Sequence, residues 1–502
     1  MTIHLTPIEN TLRSLLLDVA EYIRKEELAA GRKDAEIQPL VLRFTGGWVR
    51  DKLLGVDSQD IDVAINTMTG YQFGMRLKEY LDQPENLENY RTNHANGEMR
   101  EAIVSLHKIE ANPEKSKHLE TVTTKIFGLD IDLVNLRKET YTDDSRNPQM
   151  EFGTAEEDAM RRDATINALF YNLNESKVED LTGRGFEDMR HRIIRTPLEP
   201  YQTFKDDPLR VLRLIRFASR LGYRIEEETE RAMQNSDISV ALKLKISRER
   251  VGTELEKMLR GPDPRGALHF IDRLGLYPTI FTNYQDDVRC NTASWPLAYD
   301  AMERLLRDDA EATTLCPPWS NIPTRVMEGP KAKPLPPRPA EVARDSLRSD
   351  NKTVTLLGDA AKSWENIIDV KSSLLKGAMG GTSAEVRQQI GLCLRAWKKD
   401  WRLCMVLSAL QEVMQGGEFS EVIDGHNKFL SYIIENDLQD VCTMKPIVNG
   451  SEIMKGLGAR NGPWMSKAME EVIEWQLLHP DVTDKQKALD HLAQMKGEFG
   501  LS

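Results

Sequence analysis

The chain has 502 residues, 40% hydrophobic and 29% charged, enough to bury sizeable cores in roughly two to four domains. No run of about 18 apolar residues occurs, and Glu9, Asp18, Glu21, Glu26 and Glu27 crowd the beginning, which argues against a membrane span, a secretory signal or an acid-poor transit peptide. The five cysteines (Cys290, Cys316, Cys393, Cys404, Cys442) are widely spaced and lack C-x-x-C, so neither a disulfide framework nor a zinc site is expected, and a reducing compartment fits. A net charge of −12 counts against a general nucleic-acid surface; any phosphate-binding face must be local.

Strand patterns come early, at 41–44, 61–65, 103–106 and 129–136, with Gly46-Gly47 and Gly55 between them and a short helix expected over 48–54. After about residue 155 helical periodicity takes over. Eight prolines between Cys316 and Pro339 predict a loop or linker near 316–340, and helices are expected again over 356–374, 384–415 and 463–475. The fold class expected is α+β, an α/β head followed by helices.

Asp60 and Asp62 lie two apart on a strand, so they project from one face and can grip hard cations. Gly46-Gly47 permits close backbone approach, and its N–H groups at the following helix start can hold a phosphate. A second acidic pair, Asp130 and Asp132, sits on a later strand; several carboxylates on adjacent strands are what two-metal nucleotidyl transfer requires. Singly, a Gly-Gly pair is a turn and an Asp-x-Asp edge is solvated charge; it is their conjunction that outlines a triphosphate site. Further on, Arg210, Arg213, Arg216, Arg220 and Arg224 fall within about a third of a helical circumference, either a solvated basic face or a local anion surface.

Gly46-Gly47-Trp48-Val49-Arg50-Asp51 followed by Asp60-Ile61-Asp62-Val63 resembles the first motif of the class II tRNA nucleotidyltransferases and bacterial-type poly(A) polymerases, in the polymerase-β-like superfamily. The resemblance implies a head with a small mixed or antiparallel sheet (1–170), a nucleotide-reading neck (171–262), a helical body (263–395) and a tRNA-binding tail (396–502). It also implies Mg2+ on Asp60 and Asp62, with Asp132 as third acid and Asp130 as accessory or bystander. Arg161-Arg162-Asp163-Ala164-Thr165-Ile166-Asn167 is similar to the second motif: Arg162 offers a fork to phosphate, Asp163 accepts from a ribose hydroxyl, and Asn167 joins them. The stretch from Asp180 to Arg195 looks like the third, a hinge given flexibility by Gly183 and Gly185.

Asp206-Asp207-Pro208-Leu209-Arg210 resembles the fourth motif, usually Glu-Asp-x-x-Arg, whose Asp and Arg read the incoming base. A carboxylate accepts from the exocyclic amine of cytosine or adenine while a guanidinium donates to the ring nitrogen; uracil and guanine present the opposite pattern. Taken alone, Asp before Pro is equally an N-cap. Arg213 and Arg216 continue the nucleotide-facing row, and 246–254 looks like the fifth motif, a supporting helix. Lys108, Lys115, Lys117 and His118 match the family's flexible loop, in fungal-like wording, and 445–453 with Gly462-Pro463-Trp464 resembles the tail region that grips the tRNA elbow.

The expected activity is addition of C, C and A from CTP and ATP to tRNA, with no membrane and no obligate protein partner. The expected location is cytoplasm and nucleus; fungal relatives also serve mitochondrial tRNAs, so the missing presequence does not exclude that compartment. The alternatives are a poly(A) polymerase or an enzyme restricted to CC or to A addition, a non-catalytic RNA-binding protein on the same fold, and a small-molecule nucleotidyltransferase.

Overall fold

A computed structural model describes residues 2–91, 103–109, 121–142, 145–281, 291–308 and 337–501, which excludes Lys115, Lys117, His118 and most of the proline-rich stretch. The chain divides into two units, 1–279 and 280–502.

In the first unit, a seven-stranded sheet runs β3-β4-β5-β2-β1-β8-β9. Its strands are β1 (Leu42–Thr45), β2 (Asp60–Ile65), β3 (Ile103–Ile109), β4 (Thr121–Ile126), β5 (Leu129–Asn135), β8 (Leu169–Asn172) and β9 (Lys177–Asp180). Only β2 and β5 pair parallel, so the sheet is mixed. The strands β6 (Arg137–Thr142) and β7 (Ser145–Phe152) form a separate ribbon, and β10 (Ile193–Ile194) pairs with β11 (Arg224–Ile225). Strands therefore continue past residue 155, and the head sheet reaches Asp180 rather than stopping at 170.

Helix α1 (Pro7–Ala29) begins with a Thr6/Glu9 capping box and Pro7 in its first turn, and buries Leu12, Leu15, Leu16, Val19 and Ile23 along one stripe. It packs on α3 (Gly70–Leu81), and α2 (Gly47–Leu53) follows β1, with Trp48 wedged against Phe44 at 4.8 Å between ring centroids. The other helices here are α4 (Pro84–Arg91), α5 (Ala155–Met160), α6 (Gly185–His191), α7 (Pro200–Asp206), α8 (Leu209–Leu221), α9 (Glu227–Met233), α10 (Ser236–Lys245), α11 (Arg248–Leu259) and α12 (Pro264–Arg273). Gly222 in the left-handed conformation ends α8, so Arg224 leaves the expected helical row and sits on β11. Gly185 is not a flexible joint. A Cβ there would lie 2.8 Å from Leu169 Cδ2, and buried Asp188 beside it accepts from Thr165 Oγ1 at 2.6 Å and Arg195 Nε at 2.9 Å.

The second unit is helical. After α13 (Tyr277–Ile280) come α14 (Trp295–Asp308), α15 (Arg338–Glu341), α16 (Asn351–Leu375), α17 (Ser383–Trp397), α18 (Trp401–Met414), α19 (Phe419–Glu435), α20 (Gly450–Leu457), α21 (Trp464–Leu478) and α22 (Lys485–Gln494). One core joins α14 and α16 through α19, so a body–tail division at 395 would cut α17; a smaller core forms among α20, α21 and α22. The single helix expected over 384–415 is two, broken where Lys398 takes φ 66°.

Inside the larger core Lys371, Glu412 and His426 meet: Lys371 Nζ donates to Glu412 Oε2, which lies 3.2 Å from His426 Nε2. Burial, reinforced by Lys371 and opposed by Glu412, depresses His426 to about 4. Between that value and the unfolded value of about 6.5 the unfolded chain binds the extra proton, so stability falls as pH drops through this window. The melting temperature of wild type should fall more steeply from pH 6.5 to 4.5 than that of His426→Gln; equal slopes would show that His426 is not the linked group.

Candidate active site

The parallel register sets Asp60 opposite Asp130 and Asp62 opposite Asp132, so all four carboxylates project from one face. They are not equivalent. Lys125 Nζ pairs with Asp130 Oδ1 at 3.1 Å, whereas Asp60, Asp62 and Asp132 line a cavity of about 830 Å³. Burial raises Asp62 to about 6, with Arg162 opposing and Asp132 and Asp60 adding to the rise. Asp60 is raised by burial and then by Asp132 and Asp130.

Among the described residues no group of three or more His, Cys, Asp or Glu side chains is gathered closely enough to hold a metal ion, and Asp60, Asp62 and Asp132 are not so gathered. Asp132 Oδ1 is held by the Thr123 hydroxyl at 2.6 Å. Carboxylates not closed around an ion suit a cation that keeps waters and takes phosphate oxygens as further ligands.

Gly46 closes this end of the cavity, at φ 73° and ψ −136°. A Cβ there would lie 3.2 Å from Arg162 Nη1 and 3.3 Å from Asp62 Oδ2. Gly46→Ala should therefore lower stability by about 1–3 kcal/mol, read by thermal melting, and cut nucleotide incorporation beyond what the lost stability explains. Gly47 starts α2, and both glycines line the cavity.

The predicted arginines and their neighbours form one charged chain. Arg50 Nε donates to Asp51 Oδ1 at 2.8 Å and its Nη1 to Asn167 Oδ1 at 2.6 Å; Asn167 Nδ2 donates to Asp163 Oδ1 at 3.1 Å. Arg213 Nε and Nη2 grip Asp163 Oδ2 at 2.7 and 2.6 Å, and Arg213 Nη1 lies 3.9 Å from Glu254, to which Arg216 Nε donates at 2.6 Å. Arg220 Nη2 returns to Asp51 Oδ2 at 3.2 Å. Phe217 supports the row, with the Arg216 and Arg213 guanidiniums 4.5 and 5.5 Å from its ring centre.

These contacts bear on three expectations. Of the two readings of the basic row, the solvated face does not hold for Arg213, Arg216 and Arg220, each within ion-pair distance of a carboxylate. Asp163 is buried with both oxygens engaged; burial alone would raise it, yet Arg213, Asn167 and Arg210 hold it well below the usual carboxylate range, so it fixes Arg213 and Asn167 rather than presenting an open acceptor to a ribose. Arg162 spends its fork on Asp158, at 3.1 and 2.8 Å, and its Nη1 on the Asn167 carbonyl at 3.2 Å.

Asp207 ends α7 and lies one residue before Pro208, the N-cap of α8; its Oδ1 accepts from Leu209 N at 3.1 Å, and Asp207 also lines the cavity with Arg210. Arg210 is buried, its Nη2 3.8 Å from Glu139, which also holds Arg137 at 3.0 Å and Arg161 at 2.9 Å. Glu139 and Asp158 were missed by sequence reasoning, and Asp51 was named in the first motif without a role. The spacing of Asp158 from Arg161 and Arg162, three and four residues, was the available signal for one of them.

Residues 42–195 match the poly A polymerase head domain family, and residues 222–287 a probable RNA and SrmB-binding site of polymerase A. The chain is 37% identical to a mitochondrial CCA tRNA nucleotidyltransferase of Saccharomyces cerevisiae, over 98% of this chain and 93% of that protein. It is 39% identical to the nucleotidyltransferase lcsQ of Purpureocillium lilacinum, over 100% of this chain and 93% of that protein. A CCA-adding enzyme solved in complex with CTP shares the fold at a TM-score of 0.60 and 20% identity, covering 97% of this chain and 94% of its own. Nucleotidyltransferases of this family use divalent metal ions. With its mixed-sheet head, its helical remainder and fungal relatives aligned along nearly its whole length, the chain belongs to the CCA-adding tRNA nucleotidyltransferase family, class II of the tRNA nucleotidyltransferases and bacterial-type poly(A) polymerases.

Proposed function

We propose that this enzyme adds C, C and A from CTP and ATP to the 3′ end of tRNA, releasing diphosphate and selecting the base with protein side chains. The observation that carries the reading is a single cavity walled at one end by Asp60, Asp62 and Asp132 and elsewhere by Asp207 and Arg210. Asp60, Asp62 and Asp132 would hold Mg2+, which when bound supplies neutralising charge to the phosphate oxygens and the attacking hydroxyl. The 3′-hydroxyl oxygen forms a bond to the α-phosphorus and gives up its proton to solvent, as the bond from the α-phosphorus to the oxygen bridging to the β-phosphate breaks and diphosphate leaves. Gly46 and Gly47 leave room for the phosphates to approach the backbone, and the Asp62 carboxylate, kept short of solvent, favours positive charge at the reacting end.

Base choice falls to Asp207 and Arg210: the carboxylate oxygen not used by Leu209 accepts from the exocyclic amine, and the guanidinium donates to the ring nitrogen. Arg50, Arg162, Asp163, Asn167, Arg213 and Arg216 act on the nucleotide mainly by holding that pair and the phosphate end in register. The C-terminal helices bind tRNA in this reading, and the enzyme serves cytoplasmic and nuclear tRNAs, with mitochondrial tRNAs included by its likeness to the Saccharomyces cerevisiae enzyme.

The test is incorporation with magnesium on tRNA transcripts ending before CCA and after CC, given CTP, ATP, both, or UTP and GTP. Growth that stops after C, C and A supports the proposal. Long A tails would make the enzyme a poly(A) polymerase, and tRNA binding without growth would make it non-catalytic.

A further inference from the structure

The cavity wall carries nine arginines, and eight have a carboxylate within ion-pair distance. These range from Arg161 with Asp158 at 2.5 Å to Arg210 with Glu139 at 3.8 Å. Arg250 is the exception among the described residues. It stands in the first turn of α11, partly exposed, and its backbone N–H donates to Ser247 Oγ. Its natural partner one turn along the helix is Glu254, but Arg216 and Arg213 already occupy both oxygens of that carboxylate.

We infer that Arg250 is a phosphate-binding residue, its guanidinium left uncompensated in the cavity so that an anionic oxygen of the nucleotide or of the RNA 3′ end can complete it. Resting on the nucleotidyl-transfer reading above, the inference gives the fifth motif a contact with substrate in addition to support of α8. The chemistry favours it. A guanidinium on a regular helix is preoriented, presents paired donors to phosphate, and stays charged at any working pH. Its paired neighbours would have to break an ion pair to do the same.

The experiment compares full-length wild type with Arg250→Gln and Arg250→Lys, measuring equilibrium binding of CTP, binding of tRNA lacking CCA across a salt series, and KM for each. A triphosphate contact predicts a CTP Kd and KM raised on the order of tenfold in the Gln variant, partly restored by Lys, with tRNA binding unchanged. An RNA contact predicts the loss on tRNA instead, with the slope of log K against log salt reduced by about one. CTP and tRNA binding both within twofold of wild type would overturn the inference. Because binding is read without turnover, such a result counts against Arg250 even if wild type adds nothing, whereas the absence of addition would overturn the proposed reaction. Should the Gln variant melt early, Arg250→Met, which keeps the stem packed, repeats the comparison.

Discussion

Asp62→Ala should reduce single-turnover CMP incorporation by on the order of a thousandfold or more while tRNA binding stays within a few-fold of wild type. Asp62 is more withdrawn from water than Asp60, and it lies opposite Asp132 across the parallel β2–β5 pair. Among the described residues it holds neither helix cap nor ion pair, so removing it takes away charge at this end of the cavity and little packing. The paired control is Asp130→Asn, expected within about threefold of wild type, because Lys125 already answers that charge. Near-normal incorporation by Asp62→Ala, or an equal collapse in Asp130→Asn, would place the metal elsewhere.

Asp207→Asn should erode the preference for C and A over U and G by on the order of a hundredfold with little loss of stability. The two duties of Asp207 make this variant more informative than alanine. The side-chain oxygen of Asn accepts from a backbone N–H as that of Asp does, so the contact to Leu209 N survives. What changes is the free end, where an acceptor-only carboxylate becomes an amide able to present a donor, and uracil then no longer meets a mismatched partner. The ratio of kcat/KM for CTP over UTP and for ATP over GTP is the measurement, with thermal melting alongside. If the ratios hold and the melt is unchanged, Asp207 caps α8 and the base is read by other groups.

Much of this site was legible because the chemistry follows local periodicity. Asp60 and Asp62 share a face for the same reason that any residues two apart on a strand do, and Gly46-Gly47 marked a turn whose first residue has a left-handed φ. What stayed hidden depended on distant partners or on ambiguous patterns. Glu139 is buried because Arg161 reaches it from 22 residues away, and nothing in Arg137-Lys138-Glu139 announces that burial. Strand β8 is buried along all four residues, so it lacks alternation and reads like a helical segment; the break between α17 and α18 falls at Lys398-Lys399-Asp400, without Gly or Pro to mark it. The arginine row looked solvated for a similar reason: its counter-charges come from α2, α11 and the loop around Asp163.

The linked arginines and acids also bear on how the enzyme is made. Arg220 reaches Asp51 directly across 169 positions, and Arg213 and Arg216 tie the same row to Glu254 on α11. The strands that carry Asp60, Asp62 and Asp132 need only the first 135 or so residues, but the lattice around Asp207 and Arg210 closes only after α11 has left the ribosome and packed on α8. Nascent chains would thus acquire the reactive end before the selective one, and a head released by proteolysis would keep its carboxylates but lack the groups that choose the nucleotide.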